Sequence, residues 1–473
     1  MCYKNEINSM YKLYYCSSTI PVIALIALAV LVLFILSNFS VYSRHFFVSD
    51  VYATNVKEAE ASSTEPTFND PNLRAELVVQ GLSYPTSMAF INNNNNKDIL
   101  VLQKNNGEVR LVSNGVLKDQ PVLKVDIDNS TRICCRGLLG IATKINNNNN
   151  NNTEVFLYLS EAAKGEQPVK NRVYKYQWNG ETLINPKLIL DLPAEGLNHP
   201  GGKLAIGPDH YLYAVIGDLN RQGKLQNFKD GPEPDDTSVI LRVNPDNGYP
   251  AKNNPFLDEK NDNNSAMSRY FAYGIRNSFG LAFDPVSDTL WDAENGDKDY
   301  DEINVVNPGF NSGWEKVMGP ISRSSSITES QLFNFPGSRY ADPVFSWFKS
   351  IGITDIAFLN SSKLGDKYKN NIFVGDITRG NLYFFEVNEN RTGLRFDDNG
   401  GNNQQSSSSS SGLLDKVADN KNEVAAVTLA TGFRGITDIK TGPDGLLYIL
   451  TFDEKKSSHG EGKIYRISAA SGQ

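Results

Sequence analysis

One strand–turn–strand pattern occurs six times along this chain, and that recurrence restricts the fold more than any other feature. A small polar start leads into a strand such as LAI or LAF. A Pro-Asp or Asn turn follows, and a second strand such as LYA or LYI returns. The copies lie at 85–102, 137–159, 201–218, 279–296, 353–375 and 436–453, each followed by more strand-like sequence. A small sheet cannot cover both of its own faces, so such units must stack on neighbours and the stack must close on itself. The expected fold is all-β, a six-bladed β-propeller over residues 73–470. A β-sandwich with ordinary turns would not account for the repetition of one hairpin.

Asn runs at 92–96 and 146–152 fall in the turns of the first two hairpins, where insertions cost little closure entropy. A Ser-rich excursion spans residues 397–422, and none of these segments is expected to carry chemistry. Ahead of the ring, residues 20–36 read IPVIALIALAVLVLFIL, seventeen residues that are apolar apart from one Pro. With Phe39 at the interface and no small-residue cleavage site after it, residues 20–39 are expected to form a single transmembrane helix. Residues 1–19 would be a short tail and 40–72, rich in Glu, Ala, Ser, Thr and Pro, a flexible stalk. Lys4 and Lys12 precede the apolar run, which places the remainder outside the cell or in the periplasm.

Charge excludes other classes. Lys plus Arg number 46 against 54 Asp plus Glu, a net −8, so no nucleic-acid partner is expected. Four cysteines cannot staple a chain of 473 residues, and the adjacent Cys134 and Cys135 are given no role. Four histidines argue against a histidine-rich zinc centre. There is no G-x-S-x-G elbow, no Walker phosphate loop and no G-x-G-x-x-G opening a helix.

The densest chemical signal is GLNHPGGKLAIGPDHYLYAVIGD, where His199 precedes a hairpin and Asp218 ends it. Paired strands end where they began, so both should reach one rim, and a carboxylate beside an imidazole equips it as a general base. By the same logic Arg276 and Asn277 join Glu294, Asn295, Gly296 and Asp297 around the next hairpin. Asp299, Asp301 and Glu302 then form an oxygen-rich cluster of a kind that suits calcium, although it lacks EF-hand spacing and on composition alone reads as a solvated turn.

The ordered pieces RGLLGIA (136–142), NHPGGKLAIGPDHYLY (198–213), NGYPAKNNPF (247–256), YGIRNSFGLAFDP (273–285), LWDAENGDKDYDEIN (290–304), GFNSGW (309–314) and GPDGLLYIL (442–450) resemble the soluble glucose/sorbosone dehydrogenase family. These are six-bladed propellers that use pyrroloquinoline quinone and calcium. The resemblance implies oxidation of an aldose or related sugar alcohol, with electrons passed to an external acceptor. It makes His199 the general base and Asp218 its orienting carboxylate, with Arg276, Asn277, Arg379 and Arg434 around the quinone. Carbonyls of Gly296 and Asp297 would hold calcium, and Glu302 would match a ligand of a second, structural calcium. Where many relatives carry two arginines this chain has Gly435 and Thr437, and where soluble glucose dehydrogenases place a lysine it has Thr378, so fewer cations should meet the cofactor. Two other readings stay open: a metal-dependent sugar lactonase using the acidic loop, and a surface propeller that binds without catalysis.

Overall fold

The computed structural model describes residues 65–93, 96–130, 135–145, 153–257, 265–396, 411–454 and 461–470. The expected anchor, and the stalk as far as residue 64, lie outside these residues; among those described, no helix is long and apolar enough to cross a membrane. One compact unit begins at Glu65, ahead of the boundary expected at 73.

Six sheets make up this unit. Their innermost strands are Pro85–Asn93, Leu138–Ile145, Leu204–Ile206, Ser278–Phe283, Ile353–Phe358 and Gly435–Thr441, in blades one to six. Each pairs antiparallel with the next strand in the chain, so the six hairpins read from the sequence are the inner halves of six blades. The inner strand of every blade touches that of the next, and Gly435–Thr441 returns to Pro85–Asn93, which closes a β-propeller. The Asn92–Asn96 run lies at a hairpin tip, as its composition suggested.

Closure uses both ends of the described chain. Leu73–Leu82 pairs with Glu461–Ala469 as the outermost strand of blade six. Thr67–Phe68 pairs with Thr428–Thr431 at the edge of blade five, which is why the unit starts earlier than composition indicated.

The apolar core is divided into layers between blades. One layer packs Leu100, Leu102, Leu157 and Trp178 of blades one and two; another packs Trp291, Trp347, Val374 and Tyr383 of blades four and five. The seam between blades six and one is filled by Met88, Val101, Leu450 and Ile464. Toward the axis the strands converge, and side chains must shrink. A Cβ on Gly140 would lie 1.8 Å from the Gly202 carbonyl oxygen of the next blade, and one on Gly280 would lie 2.8 Å from the Ile356 nitrogen.

Charges plug the axis. Lys203 Nζ lies 2.7 Å from both Asp355 and Asp438, and Lys440 reaches the same carboxylates at 3.1 and 2.6 Å. Asp438 also accepts from Ser87 Oγ and the Met88 N–H, which links blades one, three, five and six. Burial works against the charge on Asp438, but the two ammonium groups outweigh it and hold its carboxyl below the usual range. On one side of this plug a cavity of about 420 Å³ opens between the inner strands, walled by Ile141, Leu204, Leu281, Ile356 and Ile439.

Two measurements test this arrangement. Removing residues 1–64 should leave cooperative thermal unfolding intact, whereas removing 1–83 should abolish it, because the ring loses its closing strand. Lys203→Ala should cost about 3–5 kcal/mol in chemical denaturation, the usual penalty for leaving a buried charge without its partner.

Candidate active site

Each inner strand starts at one rim, and the second strand of its hairpin returns there. In five blades the inner strand is bulged near that end, between Pro85 and Met88, Leu138 and Gly140, Ser278 and Gly280, Ile353 and Asp355, and Ile436 and Asp438. Bulges re-aim the side chains beside them, so this rim is where the ring departs from regular pairing.

His199 and Asp218 meet here. His199 Nδ1 lies 2.6 Å from Asp218 Oδ1, with the carboxylate buried and the imidazole mostly so. The remaining contacts to Asp218 are donors, the Asn220 N–H at 2.9 Å and the Trp314 indole Nε1–H at 2.7 Å. A carboxylate already accepting two bonds takes a proton-bearing Nδ1, so the lone pair of the ring resides on Nε2. His199 reaches this position with φ +54°, and Gly217 beside it leaves no room for a Cβ, which would fall 2.4 Å from the His199 carbonyl oxygen and 2.5 Å from that of Arg276.

Arg276 enters the next blade from the same rim. Its N–H donates to Glu294 Oε1 at 2.6 Å, and its guanidinium reaches the Asn295 carbonyl at 3.1 Å and Asp297 Oδ1 at 3.4 Å. The Asp218 N–H donates to the Arg276 carbonyl, so the two blades are stitched directly beneath the site. Asn277 accepts from the Gly201 N–H at 3.3 Å. Thus His199, Asp218, Arg276, Asn277, Gly296 and Asp297 all sit on adjoining rims of blades three and four. Arg379 and Arg434 lie on the same rim at blades five and six and are neighbours, since Gly380 packs against the Arg434 backbone. Arg434 is partly exposed, 3.5 Å from Asp453.

Glu302 lies elsewhere. It is buried within blade four, opposite Glu294, and accepts from the Gly319 N–H and from Asn304 at 3.4 Å. The expected acidic loop therefore splits. Asp301 spends its oxygens on Ser350, Ile351, Gly352 and Gly296, pinning the loop to blade five. Asp292 and Asn304 sit opposite each other on the strands that carry Glu294 and Glu302. Burial first, and then the charge of Glu294, hold Asp292 and Glu302 well above the usual carboxylate range. Burial likewise pushes Glu294 up to about 7, against the hydrogen bonds from Arg276 and Ser312. Sequence reasoning passed over Asp292, Asn304 and Trp314. The alternation in LWDAE and DEIN, which sets Asp292 with Glu294 and Glu302 with Asn304, was the available signal for the first two.

Orphaned polar atoms mark what could bind. Arg276 Nε is buried without an acceptor, which fits an anionic ligand with carboxylates. No hydrogen bond among the described residues ends on the carbonyls of Gly296 or Asp297. Both oxygens of Asp292, Asn304 Oδ1 and Ser346 Oγ are buried without partners, a hard-oxygen set that fits calcium beside Glu302. No three His, Cys, Asp or Glu side chains converge on a metal position among the described residues, so such an ion would draw on carbonyl and amide oxygens as well. Cys135 Sγ lies 3.7 Å from Asn198 Oδ1, next to His199.

Fold and rim together define a β-propeller with an acid–base pair beside a buried arginine. Residues 82–466 match the glucose/sorbosone dehydrogenase family, and the chain belongs to that family. An uncharacterised protein of Synechocystis is 28% identical over 82% of this chain and 88% of its own length. The aldose sugar dehydrogenase YliI of Escherichia coli is 29% identical over 57% of this chain and 60% of its own. The quinoprotein glucose dehydrogenase B of Acinetobacter calcoaceticus is 33% identical, over 31% of this chain and 32% of its own length. Among solved structures, the putative glucose dehydrogenase of Thermus thermophilus superposes with a TM-score of 0.60 at 25% identity, over 84% of this chain and 99% of that one. The quinone-bound aldose sugar dehydrogenase of Streptomyces coelicolor, at 21% identity and a TM-score of 0.59 over 84% of this chain and 98% of its own, shares the fold.

The buried carboxyls make a pH prediction. Glu294 holds its proton more tightly in the folded chain, so its contribution is complete below the unfolded value near 4.5 and is lost as pH rises through about 7. Melting temperatures in a chelating buffer should fall across that window, and Glu294→Gln should flatten the slope.

Proposed function

We propose that this protein is a quinoprotein dehydrogenase that oxidises an aldose or related sugar at a CH–OH group. The observation that carries this reading is the 2.6 Å pairing of His199 with Asp218 on the rim that also holds Arg276. His199 Nε2 takes the proton of the sugar hydroxyl, while Asp218 holds the opposite nitrogen and stabilises the imidazolium that forms. Arg276, Asn277, Arg379 and Arg434 receive the quinone, the arginines neutralising its carboxylates through charge-assisted contacts. Carbonyls of Gly296 and Asp297 hold one calcium, and Glu302 with Asp292 and Asn304 holds a second, structural one. When bound, pyrroloquinoline quinone supplies a hydride-accepting carbonyl that calcium polarises. Asp297 also lies 3.4 Å from Arg276, so it competes for the guanidinium that the quinone needs. Residues 20–39 act as a membrane anchor that keeps the ring outside the cell, where an external acceptor collects the electrons.

Reconstitution tests the chemistry. The purified ring with quinone and calcium should gain an absorbance band that a sugar bleaches. His199→Ala should lower turnover about 10²–10⁴-fold, the usual worth of a general base, with quinone binding retained. Hydrolysis of lactones with metal alone, or no bleaching by any sugar, would sink the proposal.

A further inference from the structure

Asp218 can orient His199 only if its own carboxylate is held. Oδ1 receives His199 and the Asn220 N–H, whereas Oδ2 receives one donor, the indole N–H of Trp314 at 2.7 Å. With Asp218 at 2% exposure, water cannot readily replace that donor. Trp314 is itself fixed through its main chain: its backbone N–H donates to the Gly274 carbonyl at 3.2 Å, and its backbone carbonyl accepts from Asn227 Nδ2 at 2.7 Å. Asn227 and Asn311 exchange amide hydrogen bonds at 2.8 and 3.0 Å, which locks the loop beyond Asp218 to the segment carrying the indole. The indole face lies 5.3 Å from the Arg276 guanidinium carbon, within cation–π reach.

The contrast with the other indoles is informative. Trp178, Trp291 and Trp347 are buried in the layers between blades, and the N–H of each lacks an acceptor. Of the four tryptophans in the chain, Trp314 alone spends its N–H on a partner, and that partner is the carboxylate behind the base. Its indole is partly open at the rim rather than sunk in a core.

We propose that Trp314 is a positioning residue: its N–H sets the plane of the Asp218 carboxylate against His199, and its ring face holds the Arg276 guanidinium beside the pair. This rests on the dehydrogenase reading for its consequence in turnover, but not for its consequence in the geometry of His199. A carboxylate free to rotate about its Cβ–Cγ bond presents Oδ1 to Nδ1 only part of the time, and ångström-scale misplacement at a reacting group costs up to about 10²-fold in rate.

Trp314→Phe keeps a ring over Arg276 and removes the donor. In the reconstituted enzyme kcat should fall about 10–100-fold, with KM for the sugar and quinone affinity within about twofold of the parent. The cycle with Asp218→Asn should be strongly non-additive, because Trp314 acts through Asp218; additive losses would overturn the proposal. With only four histidines in the chain, nitrogen-15 labelling resolves His199, whose ring resonances should move in Trp314→Phe. The intact protein offers a reading that needs no variant, a Trp314 indole proton shifted downfield of the other three and slow to exchange. If the parent lacks dehydrogenase activity but these resonances behave as stated, the functional reading falls and the positioning role stands. If activity is present, and Trp314→Phe changes neither kcat nor the His199 resonances, the positioning role falls.

Discussion

The structure depends on apolar packing between neighbouring sheets, repeated around a ring until it meets itself. Among the described residues the main apolar layers each lie between two neighbouring blades; Trp291 and Trp347, for example, are buried with Val374 and Tyr383 of blade five. Such a stack is worth little while open, since an unclosed end exposes a full sheet face to water. The strand Leu73–Leu82, hydrogen-bonded to Glu461–Ala469, is therefore the element that makes the other layers cooperative.

Closure also creates the site. Strands that converge on an axis bring the ends of every hairpin to one rim, and residues far apart in the chain become neighbours there. His199 and Asp218 belong to one hairpin, but Trp314 arrives on a segment that interrupts blade four and rejoins the sheet of blade three at Phe310–Asn311, where it binds the same carboxylate. The rim is chemically mixed by necessity: backbone N–H groups just ahead of the inner strands must be satisfied, and Glu294 and Asp301 spend oxygens on those of Arg276, Ile351 and Gly352.

What could be read without coordinates follows from distance along the chain. The six hairpins were legible because strand, turn and returning strand are contiguous, and the same locality delivered His199 with Asp218 and Arg276 with Gly296. Glu302 was recognisable as an acidic residue, but its burial opposite Glu294 depends on strand pairing that composition does not reveal. The solvated acidic turn expected from 299–302 is instead a structural bracket, because Asp301 faces the start of blade five. Trp314 stood inside a family motif with no hint of its partner, since a contact between residues 96 positions apart leaves no local trace. The axial plug had a visible sign in the repeated ITD of blades five and six, yet Lys203 comes from a third blade.

That plug has a further consequence. With Lys203, Lys440, Asp355 and Asp438 knotted across the axis, the bore is not a passage from face to face. A molecule at the His199 rim therefore meets this charged knot as its floor, and the space of about 420 Å³ beyond it is reached only from the opposite face.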